Sequence, residues 1–139
     1  MKRIFLLLIT FFVISVPAFA TDWFHLGTSL EHSEWYVDVS SISTHALTPM
    51  EEHQNQMIRN LGLNTYNYPY KSVWVKIVDA DESSIIEQVY IYQNKTVAVV
   101  NYAKYDSSGS VIDYESNKYP NPSAIYPGSL IENLYNVLY

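Results

Sequence analysis

The chain has 139 residues with fourteen acidic and eight basic side chains, and its formal net charge at pH 7 is −6. This acidic balance argues against the basic surfaces that bind nucleic acid or anionic membranes. The chain contains no cysteine. It can therefore form neither a disulfide nor a lipid-modified N-terminal cysteine, and its fold must be stabilised by burial of apolar surface.

The first twenty residues have the pattern of a secretory signal peptide. A basic pair, Lys2 and Arg3, precedes an apolar run over residues 4–16 and an A-x-A cleavage pattern. The run is shorter than the roughly 20 residues that a membrane-spanning helix needs. We predict a signal peptide over residues 1–20 and one exported domain over residues 21–139, without a membrane span. The six basic and fourteen acidic residues that remain give this domain a net charge of −8.

The first half of the predicted domain contains a strand pair and one helix. Residues 21–30 and 35–39 are read as two strands joined by a short turn, and a serine-rich stretch ends the second strand. Thr48 and Glu51 have the spacing of a capping box, with proline between them. A thin apolar stripe follows, and Gly62 is placed to end the helix. We therefore predict a surface helix rather than a core helix.

An aromatic, asparagine-rich loop joins this helix to the next strands. Tyr66, Tyr68 and Tyr70 alternate along it. Exposed tyrosines suit protein recognition, because the ring packs against a partner while the hydroxyl stays hydrated. These three residues are our candidate protein-binding site, and packing against the edge of the sheet explains them equally well.

The segment 70–115 carries the strongest pattern in the chain, since β-branched and aromatic residues alternate with polar ones. It predicts four strands, over residues 72–79, 85–92, 96–105 and 111–115. Short turns join them, so neighbouring strands must be antiparallel. In the first of these strands Val73, Val75 and Ile77 share one face, and we also expect Trp74 to be buried.

Two further features of this segment bear on function. Four tyrosines are predicted to share a sheet face and to form a second candidate binding surface if no helix covers them: Tyr90, Tyr92, Tyr102 and Tyr114. In the last strand, Ile112 and Tyr114 are predicted to face inward, with acidic residues facing the solvent.

The C-terminal part predicts a loop and a helix. Residues 116–128 contain three prolines and no apolar period. Ser129 and Glu132 form a second capping-box pattern, followed by apolar residues at helical spacing. The predicted fold class is therefore α+β, a single antiparallel sheet of about six strands with a C-terminal helix packed on it and an inserted surface helix.

The sequence gives little support for an enzyme. The four histidines are scattered without zinc-ligand spacing, and neither a G-x-S-x-G nucleophile elbow nor a glycine-rich phosphate loop is present. We predict no catalytic residue, no metal site and no cofactor. A hydrolase with paired carboxylates stays open, because sequence does not give their separation. Solvent-facing positions on strands explain Asp38 and Glu87 better.

Four short motifs occur in order: W-Y-V-D at residues 35–38, V-W-V-K at 73–76, Y-D-x-x-G at 105–109 and P-G-S at 127–129. Their order and spacing resemble the surface-adhesin protein E domain family of Gram-negative bacteria, over nearly all of the predicted domain. The resemblance implies an antiparallel sheet with a C-terminal helix, binding of host matrix and serum proteins, no catalytic motif and an ability to dimerise. Many members carry two cysteines, whose positions fall near Tyr92 and Tyr139 here.

From this resemblance we expect an exported, non-enzymatic binding domain in the periplasm, on the cell surface or secreted. Its partner would be a host-matrix or envelope protein, or a second copy of the chain, rather than nucleic acid. The first alternative is a periplasmic structural or accessory protein without a host ligand, which the missing lipid anchor favours. A small secreted hydrolase is less favoured.

Overall fold

The computed structural model describes residues 22–63 and 67–139 and shows an α+β fold built on one antiparallel sheet. The strands are β1 (Trp23–Thr28), β2 (Glu34–His45), β3 (Tyr70–Val78), β4 (Ser84–Tyr92), β5 (Thr96–Tyr105), β6 (Val111–Ser116) and β7 (Ser123–Ala124). β1 to β6 lie side by side in chain order, and β7 also pairs with β5. The helices are α1 (Pro49–Asn60) and α2 (Leu130–Leu138). This architecture confirms the predicted fold class, while the predicted signal peptide lies outside the described residues.

The helix α2 covers one surface of the sheet, which we name the helix face. Leu134 and Leu138 of this helix are buried against aliphatic residues that alternate along the central strands. These strand residues are Val37, Val73, Val75, Val89 and Ile91. Burying one such side chain stabilises the fold by about 1.5–3 kcal/mol. The prediction that Val73, Val75 and Ile77 share one face is confirmed, and Ile77 packs at the margin of this core.

Trp74 lies on the opposite surface of the sheet, which we name the open face. Its neighbours across the sheet are Asp38 on β2 and Gln88 on β4. Side chains alternate along a strand, so the burial of Val73 and Val75 directs Trp74 away from the core. Trp74 is half-buried there, and the prediction that it is a buried core residue is wrong.

The strand β2 is longer than predicted, because the serine-rich stretch belongs to it. Its pairing with β3 shifts between Asp38 and Ser43. The Asp38 carboxylate accepts hydrogen bonds from the Ser40 amide at 3.0 Å and the Ser40 hydroxyl at 2.6 Å, and the Ser41 hydroxyl donates to the Asp38 carbonyl at 2.7 Å. These local bonds accommodate an irregularity within the strand instead of ending it.

The strand β6 forms one edge of the sheet and is exposed along its whole length. Tyr114 is 78% exposed and Ile112 is 57% exposed. The core under α2 includes residues of β2, β3 and β4 and ends before β6. The prediction that Ile112 and Tyr114 face inward is therefore wrong.

The predicted loop over residues 116–128 contributes to the sheet and to the core. β7 pairs with the start of β5, and the Ile125 amide donates to the Lys95 carbonyl at 3.0 Å. The Ile125 side chain is 9% exposed and belongs to the core. A two-residue strand without apolar periodicity leaves no signal that sequence analysis detects.

Both helices begin at the predicted cap residues. The Thr48 side chain accepts from the Glu51 amide, and the Glu51 carboxylate accepts from the Thr48 amide at 2.7 Å, which completes a capping box. The Ser129 side chain accepts from the Glu132 amide at 3.1 Å. The Glu132 carboxylate, however, accepts from the amide of Gly128 at 2.7 Å. A capping box would use the amide of Ser129 instead, so this bond lies one residue before the predicted one.

The helix α1 is the predicted surface helix, and its apolar residues are not buried against the sheet. Met50 is 72% exposed and Met57 is 55% exposed. The buried residue of α1 is Asn55, whose side chain donates to the Asn67 carbonyl at 2.9 Å and accepts from the Asn67 amide at 3.4 Å. Hydrogen bonds therefore hold α1 to the segment that precedes β3.

We expect Leu134→Ala to lower the free energy of unfolding by about 2–5 kcal/mol, because it opens a cavity in the only apolar layer between helix and strands described here. Urea unfolding followed by circular dichroism measures the change. Val137→Ala, on the same helix but 77% exposed, is the matched control and should change stability by at most about 0.5 kcal/mol. Similar losses in the two variants would contradict the packing of α2 described above.

The approach of α2 to β1 depends on Gly27. This residue has φ +153°, and a Cβ atom built on it would lie 2.7 Å from Cδ2 of Leu130. We expect Gly27→Ala to cost about 1–3 kcal/mol, from overpacking and backbone strain together. Gly62→Ala is the control, since Gly62 has φ +72° but open space around it. A melting temperature of Gly27→Ala equal to or above that of Gly62→Ala would refute the close approach.

Candidate protein-binding surface

The structure describes two of the three tyrosines that were predicted to bind a partner. Tyr66 lies outside the described residues. Tyr68 is partly buried in the segment before β3, and Tyr70 is the first residue of β3. Tyr70 thus belongs to the sheet rather than to a loop, and the binding role of the three residues stays a prediction.

Aromatic rings stack across three neighbouring strands on the open face. The ring of Tyr70 lies 4.5 Å from that of His45 on β2 and 4.3 Å from that of Tyr90 on β4, with interplanar angles of 22° and 19°. Tyr92 packs against Tyr70 at 5.4 Å and 54°. We name these four residues the aromatic ladder. Such cross-strand pairs contribute about 0.2–1 kcal/mol each, so the ladder gives this part of the open face a fixed shape.

Burial raises the pKa of two phenols of the ladder, those of Tyr70 and Tyr92. It raises the pKa of Tyr70 to about 12, with a further contribution from neighbouring Tyr90. Both hydroxyls therefore remain neutral at physiological pH, when they can donate hydrogen bonds.

A carboxylate stands beside the ladder at the start of α1. The Glu51 carboxylate lies 3.7 Å from His45 Nε2. Hydrogen bonds from Thr48 hold the pKa of Glu51 below its ordinary value, and the nearby His45 adds to this effect. The end of the ladder nearest α1 is therefore acidic at neutral pH.

Polar side chains complete the open face around the aromatic rings. The Asn101 side chain donates to the Gln88 side chain at 2.6 Å, and the hydroxyls of Ser43 and Ser72 lie 2.8 Å apart. Aromatic rings interspersed with neutral hydrogen-bonding groups are typical of protein interfaces, whose centres are depleted of charge. The ladder and these polar residues form our candidate binding surface.

The four tyrosines that were predicted to share a sheet face are divided between two faces. Tyr90, Tyr92 and Tyr114 lie on the open face, whereas Tyr102 lies opposite Glu87 on the helix face. The pairing of β4 with β5 shifts midway, where β5 has one extra residue. That residue inverts the alternation in the second half of β5. The prediction is therefore wrong for Tyr102, because no sequence signal marks the bulge.

The two strand carboxylates that we considered for catalysis lie on opposite faces. Asp38 is 7% exposed, between Trp23 and Trp74 on the open face. Glu87 is half-buried on the helix face, and burial raises its pKa. Asp38 lies on the open face, as predicted, although it is buried there, whereas the predicted position on a solvent face is wrong for Glu87. The sheet separates them, so these two carboxylates cannot act on one bond.

A histidine–carboxylate pair occurs at the exposed end of β1 and β2. His25 Nε2 lies 2.5 Å from the Glu34 carboxylate, which also accepts from the Thr28 hydroxyl at 2.9 Å. The hydrogen bond from Thr28, followed by that from His25, lowers the pKa of Glu34. The side chains of His25 and Glu34 are 51% and 40% exposed. The pair therefore orients a histidine on the surface rather than within an enclosed cleft.

Metal ligands do not converge in the described part of the chain: over residues 22–63 and 67–139, no group of three or more histidine, aspartate or glutamate side chains is placed to hold a metal ion. Neither of the two helices seen there is long and apolar enough to cross a membrane.

Sequence analysis did not predict an apolar groove of about 230 Å³ on the helix face, beside α2. Phe24 of β1 and Val137 of α2 stand at its rim and are 62% and 77% exposed. Val39 and Ile42, which lie in the irregular part of β2, complete its outer wall. Sequence analysis also missed His45, whose place in the ladder depends on the same extension of β2.

Comparison with known proteins adds no relative: no family model matches the chain, and no curated protein or solved structure is found to be similar to it.

Tyr70 should make part of the stability depend on alkaline pH. The folded protein keeps the Tyr70 proton up to about pH 12, whereas the unfolded chain loses it near pH 10. Between these values the unfolded chain binds fewer protons, so the free energy of unfolding falls as the pH rises. We expect Tyr70→Phe to lose less stability than wild type between pH 10 and 12, in urea titrations.

The same variant at pH 8 provides the control, because at that pH the Tyr70 phenol of wild type is neutral in both the folded and the unfolded chain. It should then be close to wild type, since phenylalanine keeps the stacked ring. An alkaline decline identical to that of wild type would show that Tyr70 is not protected by the ladder.

Proposed function

We propose that this chain is an exported, non-enzymatic protein-binding domain of the surface-adhesin E type. Four ordered motifs support the family, from W-Y-V-D at residues 35–38 to P-G-S at 127–129. The antiparallel sheet with a C-terminal helix packed on it agrees with the fold that this resemblance implies.

The observation that carries the proposal is the contrast between the two faces of the sheet. The helix face is aliphatic and is covered by α2. The open face instead carries the aromatic ladder, whose rings are half-buried, and burial raises the pKa of Tyr70 and Tyr92 within it. A rigid set of tyrosines offers a large contact area and hydrogen-bond donors at low entropic cost. Such a face suits the recognition of a folded partner better than it suits chemistry.

The proposed partner is a host-matrix or envelope protein, in keeping with the signal-peptide pattern over residues 1–20. The predicted net charge of −8 for residues 21–139 favours a partner with a basic surface. The family resemblance also implies an ability to form a homodimer. A dimer contact outside the ladder would leave the ladder free to bind the protein partner.

The second candidate is a periplasmic accessory protein that never reaches the cell surface. It is favoured by the absence of cysteine, because a lipid anchor on an N-terminal cysteine is then impossible. Cell fractionation combined with surface protease treatment separates the two candidates. Protein that is wholly periplasmic and resistant to protease in intact cells supports the accessory role.

We expect the double variant Tyr70→Ser, Tyr90→Ser to reduce partner binding at least tenfold. The two rings stack at the centre of the ladder, and aromatic anchors of this kind contribute about 2 kcal/mol or more when they are hot spots. Pull-down against panels of matrix and envelope proteins identifies the partner, and surface plasmon resonance measures its affinity.

Two variants accompany this test. Tyr119→Ser, Tyr126→Ser removes two tyrosines that are 81% and 76% exposed outside the ladder, and it should bind like wild type. Tyr70→Phe, Tyr90→Phe keeps the rings and should recover most of the affinity, and circular dichroism of the serine variant separates loss of recognition from loss of folding. No captured partner at micromolar concentration, or equal losses in both serine variants, would refute the proposal.

A further inference from the structure

The two edges of the sheet differ in how they are protected. β1 lies under α2, where Gly27 contacts Leu130, and a bulge interrupts its pairing between His25 and Gly27. β6 is the other edge; neither of the two described helices covers it, and all six of its residues are exposed. Among the described residues, no backbone hydrogen bond is made from the outer side of β6. An unprotected edge offers a row of amide and carbonyl groups to another strand.

The regular part of this edge is a segment of four residues, 113–116. A bulge at Ile112 interrupts the pairing of β6 with β5 near the preceding turn. Beyond it, Asp113 pairs with Lys104, and Glu115 pairs with Tyr102, on the helix face. Tyr114 points to the open face and is 78% exposed. The edge therefore alternates acid, aromatic and acid along one continuous strand.

The two carboxylates of this segment differ in their hydrogen bonding. Asp113 accepts a hydrogen bond from the Tyr102 hydroxyl at 2.5 Å, and this bond raises the pKa of Tyr102. The Glu115 carboxylate accepts no hydrogen bond from, and forms no ion pair with, any residue that the structure describes. Glu115 is thus the carboxylate that is free to select a charged neighbour.

We propose that residues 113–116 of β6 are a strand-addition site for an extended peptide segment of the partner protein, with basic residues at alternate positions. The backbone groups of the edge would bond the incoming strand, which supplies affinity. Lysine or arginine beside Asp113 and Glu115 would supply charge complementarity, and an apolar residue would pack beside Tyr114. This inference rests on the proposed protein-binding function and names the chemistry of the segment bound.

A basic segment fits this edge better than a second copy of the chain does. In a symmetric pair of β6 strands that keeps both α2 helices on one side, the four carboxylates of the two copies share one face. Like charges across neighbouring strands are destabilising, and each chain is already acidic overall. The same carboxylates therefore oppose self-association at this edge and admit a basic strand.

The direct test uses a fluorescein-labelled heptapeptide of alternating lysine and valine, titrated by anisotropy against the protein without its signal peptide. We expect binding that weakens as salt is raised, with slowed amide exchange at residues 113–116 and unchanged exchange along β1. A Glu–Val heptapeptide, and a Lys–Val heptapeptide N-methylated along both of its edges, should bind at least tenfold more weakly. The methylated peptide keeps its charge but loses strand pairing, so equal binding by it overturns the proposal.

A matched pair of charge reversals locates the site. Glu115→Lys should lower the affinity for the Lys–Val peptide at least tenfold. Glu31→Lys makes an equal charge change in the exposed turn between β1 and β2, and its affinity should stay within twofold of wild type. Equal losses in the two variants, protection at residues other than 113–116, or no binding up to roughly 1 mM would each overturn strand addition at β6.

Failure of this inference is distinguishable from failure of the proposed function. Capture of a partner that depends on Tyr70 and Tyr90 but is unaffected by Glu115→Lys retains the binding domain and refutes the strand-addition site. Peptide pairing at β6 without any captured protein supports the edge site and refutes the adhesin-type role of the open face.

Discussion

The structure depends on one apolar layer, formed where Leu134 and Leu138 of α2 meet the aliphatic residues of β2, β3 and β4. No disulfide is available to a chain without cysteine, so this layer supplies the burial that holds helix and sheet together. It also determines the other face, because side chains alternate along each strand. With valine and isoleucine directed at α2, the rings of Tyr70, Trp74 and Tyr90 must emerge on the opposite side.

The resemblance noted above puts the cysteines of many surface-adhesin E proteins near Tyr92 and Tyr139 of this chain, where the end of α2 is held without a disulfide. The Tyr139 hydroxyl donates to the Ile91 carbonyl at 3.0 Å, next to Tyr92, and the Lys71 ammonium group donates to the Leu138 carbonyl. The ring of Tyr139 also packs against that of Tyr135 in a tilted arrangement, with the ring centroids 5.0 Å apart. Tyr92 itself faces the other side of the sheet, within the aromatic ladder. The end of α2 is therefore attached to the central strands by hydrogen bonds rather than by contact between these two tyrosines.

Sequence patterns predicted the regular parts of this fold well and its irregular parts poorly. The strand over residues 96–105 and the caps at Thr48 and Ser129 are found where periodicity and cap chemistry place them. The face occupied by Trp74 or Tyr102 was not predictable in the same way. It depends on tertiary structure, namely on which side of the sheet α2 covers and on where a strand carries an extra residue. Tyr70, Tyr90 and Tyr92 of the ladder were candidates from sequence, but in two separate patches. His45 was not, because it joins the ladder by an extension of β2 that local composition does not reveal.

The extra residue in β5 has a consequence for how such a sheet changes over time. Before it, Val97 and Val99 pair with Ile91 and Val89, so odd-numbered residues of β5 lie on the helix face. After it, Asn101 pairs with Gln88 on the open face, so even-numbered residues lie on the helix face. The extra residue is Val100, which has no partner on β4, so removing its codon would leave every later side chain of β5 on its present surface. The bulge is thus a position at which the strand can change its length by one residue without exchanging its two surfaces.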